Sequence, residues 1–367
     1  MRRDSLHAIM QRVKKGRLIA GVVSVVVIAG VFLFVLPRIA DYRAVWDTIQ
    51  QLTWQQVLVL AIAEIVNLAT FAPPYMSALP GLGYWRASVI SQASTASTYV
   101  APGGAAVGMG LAFAMLRGWG FAAGAVTLAV TLTGVWNQLF MLGAPAVALA
   151  LLTHAGGSNT TLKLVALIGL VVFVLAVAAF VAALASNDLA RWVGDTSARL
   201  ADFGLKLIKR GPVGWNGESL VRFREQTVGL LRRRWLPLTL ATCAGQLSVF
   251  AVMVVCLRTL GVHESQVTLT EAFAAWTFVR LLGSLPITPG GVGIVELGLT
   301  GALVGFGGPN DGVVAAVLLY RVITVVPTLV LGLVAGALWK RLRPELHAEA
   351  VAAAQAAAVE QPLRNVT

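Results

Sequence analysis

The sequence is poor in the residues that build catalytic, metal and nucleotide sites. Its four histidines are scattered, and no G-x-x-x-x-G-K-[ST] loop for ATP phosphates occurs. The two cysteines, Cys243 and Cys256, lie in one apolar run and predict no disulfide framework. Only 12% of the residues are charged, against about 25% in soluble domains. We therefore expect no metal, no cofactor, no catalytic residues and no ATP-driven export.

Long apolar runs are what the sequence has instead. Apolar residues make up 57% of the chain, and several runs reach the ~20 residues that a membrane-spanning helix needs. A signal peptide at 18–36 is disfavoured because that run is long and no Ala-x-Ala site follows it. The sequence predicts an all-α polytopic integral membrane protein with a transmembrane domain over 18–340. Its six full spans are expected at 18–36, 54–72, 121–152, 162–185, 236–260 and 312–340.

The formal net charge of +12 is concentrated outside these spans. Six Lys and Arg residues lie in 1–17, ten lie in 186–235, and further basic residues follow the last apolar run. Because Lys and Arg collect on the cytoplasmic side, we predict a basic cytoplasmic N-tail at 1–17, an amphipathic cytoplasmic loop at 186–235 and a cytoplasmic tail at 341–367. These segments of a cell-membrane protein are expected to contact anionic lipid head groups rather than nucleic acid.

Two further segments, 86–117 and 272–305, each contain two short pieces, which we take as apolar, around a Pro-Gly-Gly. Each piece is too short to cross a bilayer comfortably, so we predict two re-entrant hairpins, the first from the cytoplasm and the second from outside. The alternative is that each hairpin consists of two full crossings.

An internal repeat relates these hairpins. "YVAPGGAAVGMG" (99–110) and "PITPGGVGIVEL" (286–297) superpose at an offset of 187 residues. The repeat units are then about 54–152 and 236–340, each a span, a broken hairpin and a span. They start in opposite directions, and such an inverted repeat is typical of transporters. The alternative is a chance recurrence of Pro-Gly-Gly in a chain with 37 glycines.

The two breaks are the first candidate sites for substrate binding. Backbone groups without helical partners persist at membrane depth only inside protein or beside water, and a helix N-terminus suits a phosphate. The alternative is a close-packing kink. The residues concerned are Pro102, Gly103 and Gly104 in the first break and Pro289, Gly290, Gly291 and Gly293 in the second.

Four charged residues within the apolar segments are the second set of candidates. A lone charge at the bilayer centre costs at least ~2.5–3.5 kcal/mol, so Arg280, Glu296, Arg321 and Glu64 should pair or line water. Arg280 and Glu296 lie on the two arms of the second hairpin and can face each other, which would make them one such pair. The alternative role is a structural ion-pair network.

Two motifs give a family resemblance. "LPITPGGVGIVE" (285–296) and "LLYRVITVVPTLVLG" (318–332) resemble the transmembrane domain of lysylphosphatidylglycerol synthases and the free-standing flippase-like proteins related to them. The resemblance implies movement of a phospholipid between leaflets. It assigns the motif positions to Pro289, Gly290, Gly291, Gly293, Glu296 and Arg321. Bifunctional members continue into a soluble aminoacyltransferase domain, and 341–367 is too short for one, so we expect no lipid synthesis by this chain.

The function predicted from these features is the flipping of a phospholipid or lipid-linked precursor, with a lipid, ion or electrical gradient as its energy source. One alternative is a membrane-embedded glycosyltransferase-like enzyme that uses Asp41 or Asp47. The other is a non-transporting subunit that binds a lipid-synthesising partner enzyme through 186–235. The sequence indicates neither the head group nor the oligomeric state.

Overall fold

The computed structural model describes residues 50–100, 104–154, 160–207, 216–284 and 288–360, and within these ranges it contains helices and turns but no strand. This confirms the all-α class. The helices are α1 Trp54–Thr70, α2 Pro73–Ala78, α3 Tyr84–Val100, α4 Gly104–Gly118, α5 Ala123–His154, α6 Thr160–Ala185, α7 Asn187–Leu207, α8 Gly217–Thr259, α9 Leu269–Gly283, α10 Ile294–Gly305 and α11 Asn310–Glu360.

Five helical stretches are long and apolar enough to cross a membrane. They overlap five of the six predicted spans, whereas 18–36 lies outside the described residues, so the count of six stays a prediction. Large apolar side chains such as Ile65 and Leu175 are more than 60% exposed, as expected of surfaces that face lipid. The stretches are Trp54–Ala78, Ala123–His154, Leu167–Ala185, Gly217–Thr259 and Asn310–Ala337.

The two predicted hairpins form pairs of short helices. The arms α3, α4, α9 and α10 have 17, 15, 15 and 12 residues. At 1.5 Å per residue all are shorter than the ~30 Å hydrocarbon layer. Helices α4 and α10 are apolar and α9 is mostly so, whereas α3 is rich in Ser and Thr, so the prediction of two apolar arms is wrong for the first hairpin. Whether the hairpins are re-entrant stays a prediction.

The first arm α3 is rich in hydroxyl side chains and is nevertheless largely buried. Three of its hydroxyls donate to carbonyl groups of their own helix, Ser94 to Ile90 at 2.7 Å, Ser97 to Ser94 at 2.6 Å and Thr98 to Thr95 at 2.7 Å, and Ser91 donates to the Phe71 carbonyl at 2.8 Å. A buried hydroxyl costs little once it is hydrogen-bonded. This local bonding lets a polar helix lie inside a membrane domain.

The helix bounds follow the repeat at the predicted offset. Adding 187 to the bounds of α4 gives 291–305, and α10 ends at Gly305; adding 187 to Ala123 gives 310, where α11 starts. The turns after α4 and α10 also agree. Gly120 and Gly307, 187 apart, have φ of 84° and 112°, a backbone conformation that favours glycine after a helix.

The described residues form two compact units. The first comprises the residues up to Ala72, Gly83–Phe121 and the residues from Ala244 onward. In this unit α3 packs against α4 and α11, and α9 packs against α10. Its core contains an aromatic cluster of Phe250, Phe273 and Trp276, whose ring centres lie 5.0–6.1 Å apart.

Helix α1 and the C-terminal part of α8 are antiparallel in the first unit. Gln56, near the start of α1, donates to the carbonyl of Thr259, the last residue of α8, at 3.2 Å. Asn67, near the end of α1, accepts at 3.0 Å from the hydroxyl of Ser248, which precedes Thr259 by eleven residues in α8. The leading helices of the two predicted repeats therefore run in opposite directions, as an inverted repeat requires.

The second unit comprises Pro73–Leu82 and Ala122–Cys243, and it contains the contact between α5 and α6. Trp136 of α5 meets Phe180 of α6 edge to face at 5.8 Å, and its indole N–H donates to the Thr239 hydroxyl at 2.8 Å.

The predicted cytoplasmic loop 186–235 contains α7 and the first turns of α8. The Asp195 carboxylate of α7 accepts from the Gly217 N–H at 2.7 Å and so fixes the start of α8. Helix α8 then continues through Pro237 to Thr259. The boundary that we predicted at 236 between loop and span therefore falls inside one helix.

Candidate functional site

The second Pro-Gly-Gly forms a tight turn between α9 and α10. Pro289–Gly291 is one turn of 3-10 helix, and Gly290, Gly291 and Gly293 have φ of 61°, 68° and 87°. L-residues rarely adopt such φ values. A Cβ on Gly290 would also overlap the ring of Tyr99 from α3. Backbone conformation and close packing thus both explain why glycines occupy this motif.

A buried ion pair fastens this turn to α11. The Arg321 Nε donates to Glu296 Oε1 at 2.6 Å, and Arg321 Nη2 donates to the Gly290 carbonyl at 3.2 Å. Glu296 Oε2 accepts from the Gly293 N–H at 2.6 Å. The side chains of Glu296 and Arg321 are only 2% and 11% exposed. Both charges are therefore compensated inside the protein, and the N-terminus of α10 is capped by its own carboxylate.

The predicted pairing of Arg280 with Glu296 is wrong. The face of α9 that meets α10 is formed by Val279 and Gly283, which lie against Gly298 and Val295. Arg280 follows Val279 by one residue, and consecutive helical side chains diverge by about 100°. The Arg280 side chain instead contacts Gln246 of α8 and the Trp276 ring, and α11 supplies the cation for Glu296.

Arg280 has a different environment. Its Nη2 donates to Gln246 Oε1 of α8 at 3.0 Å, and its guanidinium lies 4.9 Å from the centre of the Trp276 ring. Both partners are uncharged. No carboxylate of the described residues lies within 4.0 Å of Arg280, in contrast to Arg321. Arg280 is half-buried, one turn before the end of α9. Its guanidinium can bind an anion that the protein itself does not supply.

The first break is only partly described, because Pro102 and Gly103 lie outside the described residues. Gly104 starts α4, and a Cβ there would overlap the backbone of Thr98 in α3. Four residues later, a Cβ on Gly108 would lie 2.7 Å from the Ser94 carbonyl oxygen. Both glycines thus permit close approach of the hairpin arms, which is the packing alternative that we gave for this break.

Glu64 lies in the middle of α1, and it makes no hydrogen bond to the other three charged candidates. It is 5% exposed, and its Oε2 accepts from Asn67 Nδ2 at 3.0 Å. Asn67 Oδ1 accepts from Ser248 of α8, whose hydroxyl also lies 2.8 Å from that of Thr70. The four candidate charges thus form three separate environments.

Sequence reasoning missed Tyr99, Gln246 and Trp276. Tyr99 fills the space that Gly290 leaves and lies with its ring centre 5.8 Å from the Arg321 guanidinium. A signal was available for Tyr99, because it begins the repeat motif from which we located the first break. Gln246 lies in an otherwise apolar run, and an isolated amide there is the kind of residue that orients a buried charge.

Comparison with known proteins gives one family match. The family model described as "Lysylphosphatidylglycerol synthase TM region" matches residues 21–332, well over half of the chain. The matched range includes Glu64, both glycine breaks, Arg280 and the Glu296–Arg321 pair. A search of the curated proteins finds none that matches.

Proposed function

The chain belongs to the lysylphosphatidylglycerol synthase transmembrane family, and we propose from that premise that it moves an anionic phospholipid or a lipid-linked precursor between the leaflets of the cell membrane. It is a multi-pass membrane protein, and its family has a role in membrane lipids. We further propose that it carries out no covalent chemistry, and that its basic N-tail, its 186–235 loop and its C-tail are cytoplasmic.

The environment of Arg280 carries the proposal. An arginine at membrane depth is costly without a counter-charge, and the partners of Arg280 are an amide and an indole ring. A guanidinium presents five N–H donors in a planar fork that matches phosphate oxygens. Gln246 holds this fork in a fixed direction. We therefore assign the head-group phosphate to Arg280.

The Glu296–Arg321 pair has a supporting role in this proposal. Since each group already satisfies the other, binding a phosphate at Arg321 would release a buried carboxylate. That release is expensive, because an uncompensated buried charge costs about 3–5 kcal/mol. The pair instead holds the glycine turn in place against α11. Of the two candidate arginines, Arg280 and Arg321, the proposal therefore assigns only Arg280 to the phosphate.

Arg280→Gln tests the proposal. The purified full chain is reconstituted into liposomes that contain a fluorescent anionic phospholipid, and the rate at which dithionite quenches the inner-leaflet fraction is measured. Hydrogen bonds to a charged group are worth about 1.5–3 kcal/mol. We therefore expect flipping to be slower by about one to two orders of magnitude.

Arg232→Gln is the matched control, because Arg232 is an exposed arginine in the basic part of α8 that precedes the apolar run predicted from 236. It removes the same charge and should leave the rate unchanged. Equal effects of the two variants, or no flipping by the wild type above empty liposomes, would count against the proposal. Consumption of a lipid-linked sugar that requires Asp41 or Asp47 would favour the enzyme alternative. Loss of function on deleting 186–235, with Arg280→Gln unaffected, would favour the subunit alternative.

A further inference from the structure

Glu64 is a buried carboxyl group for which the proposed head-group site has no use. Its Oε1 is buried without a hydrogen-bond partner among the described residues, and its Oε2 has only the Asn67 amide. No cation of those residues lies within 4.0 Å of either oxygen. An ionised carboxylate in this position would be a buried charge with a single neutral donor, which is among the costliest states in a membrane domain.

Glu296 gives an internal comparison, because it is the same side chain at a similar depth of burial. Glu64 and Glu296 are 5% and 2% exposed. Both oxygens of Glu296 are engaged, one by the Arg321 guanidinium and the other by the Gly293 N–H. The protein therefore stabilises the charge of Glu296 and leaves that of Glu64 uncompensated. The neutral, protonated acid is the form that fits the surroundings of Glu64.

The other ionisable groups around α1 do not change this conclusion. The buried thiol of Cys256 is the ionisable group of α8 that faces Glu64. A thiol carries no positive charge and cannot compensate a carboxylate. Helix α11 also packs against α1. The ionisable side chains in its spanning part are Tyr320, which accepts from the Trp276 N–H, Arg321, which is bonded to Glu296, and the exposed Asp311 at its start.

The position of Glu64 between the repeats connects it to transport. Helix α1 leads the first repeat, and the antiparallel segment of α8 that contacts it leads the second. In transporters built from inverted repeats, one repeat moves against the other to expose a central site to alternate sides. A group at this contact changes its access to water when the repeats move. An uncompensated acid there can take up a proton on one side and release it on the other.

We propose that Glu64 is the proton-binding site that couples lipid translocation to a proton gradient. This inference rests on the proposed function and names its energy source. The step is the reversible binding of one proton, carboxylate plus H⁺ giving carboxylic acid, with no other bond made or broken. When Glu64 is a neutral acid, the repeats can move while its side chain stays buried. When it is a carboxylate, its side chain must stay in contact with water.

A sodium ion is the competing occupant, and the described geometry favours the proton. A hard cation needs several oxygen ligands around one point. The neighbouring side-chain oxygens are already used: Asn67 Oδ1 accepts from Ser248, and the Thr70 hydroxyl donates to the Asn67 carbonyl at 2.7 Å. A proton needs only one oxygen, and Oε1 of Glu64 is available.

The first test uses dicyclohexylcarbodiimide, an apolar reagent that modifies protonated carboxyl groups. The reconstituted wild-type protein is treated at mildly acidic and mildly alkaline pH, and modified peptides are quantified by mass spectrometry. We expect modification of Glu64 that falls as pH rises, and no modification of Glu296, because both of its oxygens are engaged by Arg321 and the Gly293 N–H. No modification of Glu64 at any pH, or equal modification of Glu296, would overturn the inference without bearing on whether the protein flips lipid.

The second test measures flipping in liposomes with and without a pH gradient, with the electrical potential clamped by potassium and valinomycin. We expect the wild type to accumulate the fluorescent lipid in one leaflet when the pH gradient is present, and to distribute it between both leaflets when the gradient is absent. For Glu64→Gln, the ratio of rates with and without the gradient should fall to one, whatever its absolute rate. Glu225→Gln, which changes an exposed carboxylate, should keep the wild-type ratio.

The outcomes separate the two proposals. Wild-type flipping that ignores the pH gradient, or that responds to a sodium gradient instead, would refute the proton site and leave the flippase proposal intact. No flipping by the wild type under any gradient would refute the flippase proposal itself. The carbodiimide result would still report whether Glu64 is protonated, and it needs no folded variant.

Discussion

Breaking the ion pair of Glu296 and Arg321 from one side should destabilise the protein more than removing both charges. In Glu296→Gln the new amide oxygen still accepts from the Gly293 N–H, so the main loss is the counter-charge of Arg321, which is only 11% exposed. An uncompensated buried charge costs about 3–5 kcal/mol, and we expect this loss in the free energy of unfolding. Arg321→Met leaves Glu296 uncompensated and should cost a similar amount.

The double variant Glu296→Gln, Arg321→Met removes both charges and leaves two neutral groups unsatisfied, the Gly290 carbonyl and the N–H of the new amide, each of which is also unsatisfied in one of the single variants. An unsatisfied buried acceptor costs about 1–3 kcal/mol, so the double variant should be more stable than either single variant. Unfolding by SDS in mixed micelles, followed by tryptophan fluorescence, measures these differences. The exposed pair Arg191–Glu218 is the matched control, and Glu218→Gln should cost about 0–1 kcal/mol. Single effects that simply add in the double variant would refute the reasoning.

Two glycine substitutions test the close packing in the same unfolding assay. Gly290→Ala should cost several kcal/mol in the free energy of unfolding, because Gly290 has a φ of 61° and the new methyl group would overlap the Tyr99 ring. Adding Tyr99→Ala should recover part of this loss, and no recovery would contradict the contact. Gly332→Ala should cost about 1–3 kcal/mol because its methyl group overlaps Ala96 of α3. Gly336→Ala, on the same helix with nothing within 4 Å, should be neutral or slightly stabilising because alanine has the higher helix propensity, and equal losses at 332 and 336 would contradict the packing explanation.

The helices could be predicted largely from the sequence because the membrane limits the choices. Apolar runs of sufficient length must be helical, and glycine and proline mark where they break. The repeat then carried this information from one half to the other, which explains why the ends of α4 and α10 agree at the offset. The polar helix α3 lay outside these rules. Its burial depends on hydroxyl-to-carbonyl bonds within its own turns, and no measure of hydropathy registers such bonds.

The ion pairing could not be predicted because it depends on the direction of side chains in three dimensions. Arg280 and Arg321 were both within reach of Glu296 along the sequence pattern. Arg280 lies beside Val279, which faces α10, but its guanidinium lies against Gln246 of α8 and the Trp276 ring. Arg321 of α11 is the residue that reaches Glu296. The helical period would have given this rotation only if the contact face of α9 were already known. The same holds for Tyr99, which reaches Gly290 from the hairpin of the other repeat.

The repeat shares its fold but not its charges, and this bears on mechanism. At the offset of 187, Glu296 corresponds to Met109 and Arg321 to Gly134, while Arg280 and Glu64 each correspond to an alanine. A charge-symmetric pair of repeats would present the same site to both leaflets. Here Arg280, the proposed ligand of the phosphate, and the glycine turn bound by Arg321 belong to the second repeat. Glu64, the uncompensated acid, belongs to the first. If one repeat binds the head group and the other binds the proton, movement between them exposes both at once, and the two gradients become linked through a single conformational change.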